Sequence, residues 1–179
     1  LEMPVFPEDK FVEAIEKVVA ANEAFVPPFG SGATLYIRPY MFGSDPVIGV
    51  KPANEYQFRI FTTPVGPYFK EGAKPITIRV SDYDRAAPRG TGNIKAGLNY
   101  AMSLYPIMEA HRQGFDECGL CGTAAVISPV GKIYDHGNEI CFPSGMEKMG
   151  PVIQKLYDTL TGIQMGHIEA PEGWIKVIK

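Results

Sequence analysis

The sequence is poor in the residues that build disulfide frameworks and metal sites. Its 179 residues include only three cysteines and three histidines. Three cysteines are too few, and odd in number, for a disulfide framework, so a reducing cytoplasmic compartment is predicted. The histidines are far apart and lack the spacing of metal ligands, so no zinc site is predicted.

The sequence also lacks the features of membrane proteins and nucleic-acid-binding proteins. No apolar run approaches the roughly 20 residues of a membrane span, and the first residues, LEMPVFPEDK, lack the pattern of a signal peptide. The formal net charge is −3, and the basic residues are scattered rather than clustered. Neither a membrane nor a nucleic acid is therefore predicted as a partner.

Hydrophobic periodicity predicts an α+β chain. Residues 7–23 have apolar side chains at helical spacing, and Glu8 and Asp9 favour the start of a helix there. Alternating or short apolar runs predict strands at 33–42, 55–63, 76–80, 124–130 and 139–142. A stretch rich in glycine and proline, 63–75, is typical of a linker between two lobes.

Two further segments show the helical period. Residues 150–160 predict a helix with a buried face, formed by Ile153, Leu156, Tyr157 and Leu160. Residues 97–114 predict another, with a buried face formed by Ala101, Leu104, Tyr105 and Met108. Pro106 conflicts with that second helix, because a proline in a helix interior costs about 3 kcal/mol.

The string RGTGNIKAGLNY, 89–100, places one lysine among glycines. Burial of a lysine lowers its pKa, and a free amine is what attacks a carbonyl group. The alternative is a surface lysine in a loop before a helix, where the glycines serve only the turn. Composition alone favours this second interpretation by about two to one, because inference from perturbed sites is probabilistic.

Two other strings contain candidate binding groups. In LYIRPY, Tyr36 and Arg38 are two residues apart on a strand and leave the same face, which suits a carboxylate ligand or a polar outer face equally. In CGTAAVISPV, 121–130, Gly-Thr before a strand suits a phosphate or carboxylate, or is a plain turn. Cys118 and Cys121 form a CxxC, a weak redox or metal signal without a second pair.

Together these strings resemble the branched-chain amino acid aminotransferases, which are fold-type-IV pyridoxal-phosphate enzymes. The matching strings are LYIRPY, TPVGPYF, DRAAPRGTGNIKAGLNY, GTAAVISPVGKI and GPVIQKLYDTLTGIQMGHIEAPEGW, in the order that the family has. The resemblance implies part of a small α/β lobe (1–68), a linker (69–75) and a larger barrel-like β lobe with flanking helices (76–179). It also predicts that several dozen residues are missing near 117–118.

The resemblance implies cofactor roles for four residues. Lys95 matches the lysine that forms the Schiff base with pyridoxal phosphate and then moves a proton. Tyr100 matches the tyrosine that hydrogen-bonds the phenolic oxygen of the cofactor. Thr123 matches a threonine that binds the cofactor phosphate, and the amide of Ala124 would face the cofactor and the substrate carboxylate.

Substrate roles follow in the same way. Tyr36 and Arg38 match residues that reach the substrate from the small lobe, with Arg38 suited to the side-chain carboxylate of glutamate. Tyr68 matches an aromatic residue of the linker that closes over the apolar pocket. The implied reaction is transamination of leucine, isoleucine or valine with 2-oxoglutarate in a homodimer. The alternatives are D-amino acid transaminase, aminodeoxychorismate lyase, or an inactive fragment that lacks cofactor.

Overall fold

The computed structural model describes residues 1–66, 72–84, 86–115, 121–122 and 126–178. The chain separates into two compact units, one of Leu1–Tyr68 with Glu169–Lys179 and one of Phe69–Ile168. Residues 169–179, which the sequence prediction placed in the larger lobe, are thus grouped with the first unit. There Lys176 forms an ion pair with Glu16. The lobes of the whole enzyme and their linker stay a prediction.

The first unit contains a helix and a two-stranded sheet. Helix α1 spans Glu8–Ala21, and a 3-10 turn follows at Glu23–Phe25. Strand β1 spans Thr34–Gly43 and pairs antiparallel with β2, Tyr56–Val65. Along β2 half-buried and exposed residues alternate from Tyr56 to Thr63, which confirms the predicted strand period.

Aromatic residues attach the amino-terminal part of the first unit to this sheet. The ring of Phe58 on β2 stacks on Phe6, with the two centroids 3.9 Å apart. Phe11 of α1 meets the same ring at 5.9 Å. Such pairs stabilise a fold beyond the area that they bury, so Phe58 helps to join α1 to the sheet.

The second unit contains a three-stranded sheet. Strand β3, Ile76–Arg79, lies parallel to β6, Val130–Asp135, and β6 lies antiparallel to β7, Asn138–Cys141. His136 and Gly137, both with positive φ, form the two-residue turn between β6 and β7, as the favoured hairpin turns require. A separate short pair joins β4, Cys121–Gly122, with β5, Val126–Ile127.

The single helix predicted for 97–114 is wrong. The structure has two helices, α2 at Gly97–Ala101 and α3 at Leu104–Arg112. Ser103 lies buried between them, and its hydroxyl donates a hydrogen bond to the Tyr100 carbonyl over 2.7 Å. The break resolves the conflict at Pro106, because this residue now lies in the first turn of α3, where an amide has no partner within the helix.

The predicted buried face of this segment is also wrong. Leu104, Tyr105 and Met108 are 63%, 60% and 50% exposed. Within the described residues, only Met149 and Ile163 qualify as buried hydrophobic side chains, each 9% exposed. A domain of ordinary stability buries far more apolar surface than this, and α3 presents an exposed apolar face.

Helix α4 spans Pro151–Gln164 and is longer than predicted. Pro151 stands at its first position, where a proline is favoured because its missing amide would have no partner. Ile163 is buried, whereas Leu156, predicted to be buried, is 49% exposed. None of the helices in the described residues is long and apolar enough to cross a membrane.

Candidate active site

Lys95 and Tyr100 meet at the start of α2. Lys95 Nζ donates a hydrogen bond to Tyr100 Oη over 2.5 Å and lies 4.8 Å from the centroid of the same ring. Lys95 precedes the cap of α2, Ala96, and Tyr100 lies in the first turns of the helix. The helix start therefore brings together an amine and a phenol that are five residues apart.

Both side chains are accessible. Lys95 is exposed, so the expectation of a partly buried lysine is wrong. Tyr100 is 44% exposed. The amine is therefore reachable by a small molecule from solvent. Its proximity to a phenol, rather than burial, is what distinguishes it from an ordinary surface lysine.

A tight loop leads to Lys95. The amide of Gly92 donates to the Ala87 carbonyl over 3.1 Å, and the amide of Ile94 donates to the Thr91 carbonyl over 2.9 Å. A Cβ atom at Gly92 would lie 2.6 Å from the Ala87 carbonyl oxygen, which is too close for any side chain. This glycine is therefore required by a close backbone approach.

Asn99 is a site residue that the sequence analysis missed. It is 6% exposed, and its side chain bonds three backbone groups of the loop before Lys95. The side chain of an asparagine in a helix readily hydrogen-bonds nearby backbone groups. An asparagine next to a glycine-rich loop therefore indicates that its side chain bonds the backbone of that loop. That signal was present in the string NIKAGLNY.

A histidine lies between two carboxylates near the end of β3. His136 Nδ1 is 2.6 Å from Asp135 Oδ1, and His136 Nε2 is 2.9 Å from Asp82 Oδ1. Hydrogen bonding to Asp135, and then to Asp82, raises the pKa of His136. The pair with Asp82 connects the β6–β7 turn to the segment that leads from β3 towards the Lys95 loop.

Tyr36 and Arg38 lie on β1 in the first unit. The Arg38 guanidinium carbon is 5.0 Å from the centroid of the Tyr36 ring, so the two side chains share a face as predicted. Arg38 is exposed and Tyr36 is half-buried. A guanidinium beside a phenol on a solvent-accessible face is suited to binding a carboxylate.

Three predicted site residues lie outside the described residues. These are Tyr68, Thr123 and Ala124. Cys118 of the CxxC also lies outside them, and Cys121 is described only through its backbone, which pairs with Ile127. Their roles stay predictions.

The fold matches that of a known aminotransferase. The crystal structure of a branched-chain aminotransferase from the thermophilic archaeon Thermoproteus uzoniensis, with norvaline, superposes with a TM-score of 0.65. The match covers 92% of this chain and 73% of that chain at 19% identity, so it shows the fold. A search of family models gave no match.

Sequence comparison gives the family. The branched-chain-amino-acid aminotransferase of Haemophilus influenzae is 38% identical, across 98% of this chain and 74% of the relative. The corresponding enzyme of Helicobacter pylori is 32% identical, across 98% of this chain and 72% of the relative. This chain belongs to the branched-chain-amino-acid aminotransferase family, whose members are pyridoxal-phosphate enzymes.

The same comparisons show a difference in length inside the aligned region. The match to the Haemophilus influenzae relative extends over 253 residues, whereas 98% of this 179-residue chain is about 175 residues. The difference, 253 minus 175, is about 78 residues for which this chain has no counterpart. The Helicobacter pylori relative, matched over 250 residues, shows a difference of similar size.

Proposed function

We propose that this chain catalyses transamination of leucine, isoleucine or valine with 2-oxoglutarate, and that Lys95 holds the pyridoxal-phosphate cofactor. One observation carries the assignment of the site. This chain belongs to the family, and its Lys95 Nζ lies 2.5 Å from Tyr100 Oη on an accessible surface.

The described residues fit one end of the cofactor. The aldehyde and the phenolic hydroxyl of pyridoxal phosphate are neighbours on its ring, so their protein partners must also be neighbours. An amine and a phenol 2.5 Å apart meet that requirement. When bound, the cofactor supplies an electron sink for reactions at the substrate α carbon. Partners for its phosphate, such as Thr123, stay proposals on the sequence match.

The chain supplies binding and proton movement. Lys95 would hold the cofactor through its amine and, once released, would take the proton from the α carbon and return it. Tyr100 Oη would hydrogen-bond the phenolic oxygen of the cofactor and, through its contact with Lys95 Nζ, keep the amine close to the reacting carbon. Both roles require the short separation of the two groups.

The substrate site is proposed on the paired side chains of β1. Arg38 would bind the side-chain carboxylate of glutamate with Tyr36 beside it, because a guanidinium presents a planar fork of donors. The amide of Ala124 would receive the α-carboxylate, and Tyr68 would cover the apolar part of the pocket. Leucine would use only the apolar part of the substrate site, and glutamate would also use Arg38. A homodimer and a cytoplasmic location complete the proposal.

A second candidate is an inactive chain that binds no cofactor. The observation that favours it is the absence of about 78 residues that the Haemophilus influenzae relative contains within the aligned region. An absorption spectrum after addition of pyridoxal phosphate separates the two candidates. A visible band that borohydride bleaches supports the enzyme, and no visible change supports the inactive chain.

Peptide mapping then tests the assignment of Lys95. The chain is incubated with limiting pyridoxal phosphate, reduced with borohydride and digested, and the pyridoxyl label is located by mass spectrometry. We expect Lys95 to carry more of the label than all the other lysines together. In Lys95→Arg, position 95 should carry no label, and the label on the other lysines should not rise to replace it. Lys155→Arg, which changes an exposed lysine of α4, is the matched control and should leave the pattern unchanged. A label spread evenly over the lysines would refute the assignment.

A further inference from the structure

One buried side-chain carboxamide, that of Asn99, connects the loop before Lys95 (residues 87–94) to helix α2. The side chain of Asn99 donates hydrogen bonds to the carbonyls of Thr91, over 2.6 Å, and Ile94, over 2.9 Å. It accepts a third from the amide of Ala87, over 3.2 Å. All three partners are backbone groups of the loop that ends at Lys95.

Asparagine is the residue that matches this set of partners. A carboxamide has two N–H donors on one atom and an acceptor on the other, and here all three functions are used. An aspartate would keep the acceptor for Ala87 but would direct a carboxylate at the two carbonyls. A serine would be shorter and has a single donor. At 6% exposure, water does not readily replace a lost partner.

The position of Asn99 relates this bonding to the two reactive groups. Asn99 is adjacent to Tyr100 on α2, and Ile94 is adjacent to Lys95. The carboxamide therefore joins the backbone beside the amine to the backbone beside the phenol. The amide of Asn99 also donates to the Ala96 carbonyl over 3.0 Å, which closes the first turn between them.

We propose that Asn99 is a positioning residue for Lys95. It fixes the loop of residues 87–94 on the start of α2, so that Lys95 Nζ is held at Tyr100 Oη. This inference rests on the proposed function of Lys95 as the cofactor-binding lysine. The three hydrogen bonds of the Asn99 side chain join backbone groups, and Asn99 takes no part in proton transfer.

The test compares Asn99→Asp with Ile163→Ala. Ile163 is a buried residue of α4 in the same unit, so its truncation lowers stability while the sequence of residues 87–100 stays unchanged. Each variant is labelled with limiting pyridoxal phosphate and borohydride, and the fraction of label on Lys95 is measured. We expect this fraction, relative to the other lysines, to fall about ten-fold in Asn99→Asp, since small displacements of reacting groups cost this much or more. Ile163→Ala should keep the fraction of the unaltered chain.

Hydrogen exchange on the unaltered chain provides a second measurement, which does not depend on a variant that folds. The amide of Ala87 should exchange far more slowly than an unstructured peptide, because it donates to the buried Asn99 side chain. Exchange of Ala87 at the unstructured rate would overturn the proposal.

The outcomes distinguish the two assignments. If the unaltered chain shows no preference for Lys95, the proposed function fails. If it prefers Lys95, and Asn99→Asp keeps that preference, the positioning role of Asn99 is refuted while the proposed function stands.

Discussion

The two candidate pairs of side chains are held in place by different means. Tyr36 and Arg38 lie on one strand of a hairpin in which ten residues of β1 face ten residues of β2. Lys95 and Tyr100 lie on either side of a helix start, and the loop before them is held by the side chain of Asn99. Many main-chain hydrogen bonds between the two strands hold the first pair in place. The side chain of one residue, Asn99, holds the loop that positions the second pair.

This difference predicts where substitutions matter. On a strand, alternation places residues i and i+2 on one face whatever the neighbouring side chains are. In the loop, three backbone groups share the Asn99 side chain as a partner, so the loss of that side chain removes three hydrogen bonds at once. Changes near Lys95 should therefore alter geometry, whereas changes on β1 should alter only the chemistry of the changed residue.

The largest expected effect is at Lys95. Lys95→Ala should remove the excess of pyridoxyl label that the unaltered chain carries at position 95 and lower transamination between leucine and 2-oxoglutarate. The loss of a proton-transfer group alone accounts for about 10²–10⁴-fold. The rate of transamination and the borohydride label check both parts. Full activity in Lys95→Ala would contradict the proposal.

The next largest effect is expected on stability, when the residues that lack a counterpart in this chain are inserted. This insertion should stabilise the second unit alone. We propose that the residues without a counterpart belong near 117–118. Insertion there of the corresponding segment of the Haemophilus influenzae relative should cover Leu104, Tyr105 and Met108, which are now half or more exposed. Burial of three large side chains stabilises by roughly 3 kcal/mol or more.

Urea unfolding and binding of an apolar dye measure this effect. The expected result is a higher midpoint and less bound dye for the chain with the insertion. A scrambled segment of the same composition is the control. Equal midpoints for the native and scrambled insertions would show that α3 is not covered by this segment.

A smaller and more selective effect is expected at Arg38. Arg38→Ala should raise the Michaelis constant for glutamate about ten- to a hundred-fold, since a hydrogen bond to a charged group contributes roughly 1.5–3 kcal/mol. The constant for leucine should change little, because leucine has no side-chain carboxylate. Steady-state kinetics with both substrates make the comparison, and Arg59→Ala on the neighbouring strand β2 is the control. Equal losses for both substrates would favour a structural role.

The sequence predicted the hairpin well because its signal is local. The strands expected at 33–42 and 55–63 lie at Thr34–Gly43 and Tyr56–Val65, within two residues at each end. Alternation of side chains is a property of each strand itself, so no distant partner is needed to recognise it. The cofactor roles of Lys95 and Tyr100 came from the family resemblance, since spacing alone left the lysine open to two interpretations, and their contact was found only in the structure.

The segment 97–114 was predicted poorly because its structure depends on contacts that periodicity does not contain. The buried Ser103 hydroxyl bonds the Tyr100 carbonyl at the break between α2 and α3. The apolar spacing of Leu104, Tyr105 and Met108 predicted a buried face, but these residues are exposed. Asn99 was missed because its partners are backbone groups five to twelve residues away.

The smallest expected effect concerns pH and His136, whose contacts are all exposed. Bonding to Asp135 and Asp82 raises the pKa of His136 above its ordinary value, so the protonated form is favoured by folding. The stabilisation is fully present below the pKa of the unfolded histidine, about 6.5, and is lost as pH rises through the higher folded pKa.

His136→Asn keeps a residue that tolerates the positive φ of this turn but removes the charge. The melting temperatures of the chain and the variant should differ at about pH 6 and converge at about pH 9. Asp82→Asn should reduce the difference, because it removes one of the two partners. A difference that does not change with pH would show that the turn geometry, and not the charge of His136, is what the substitution disturbs.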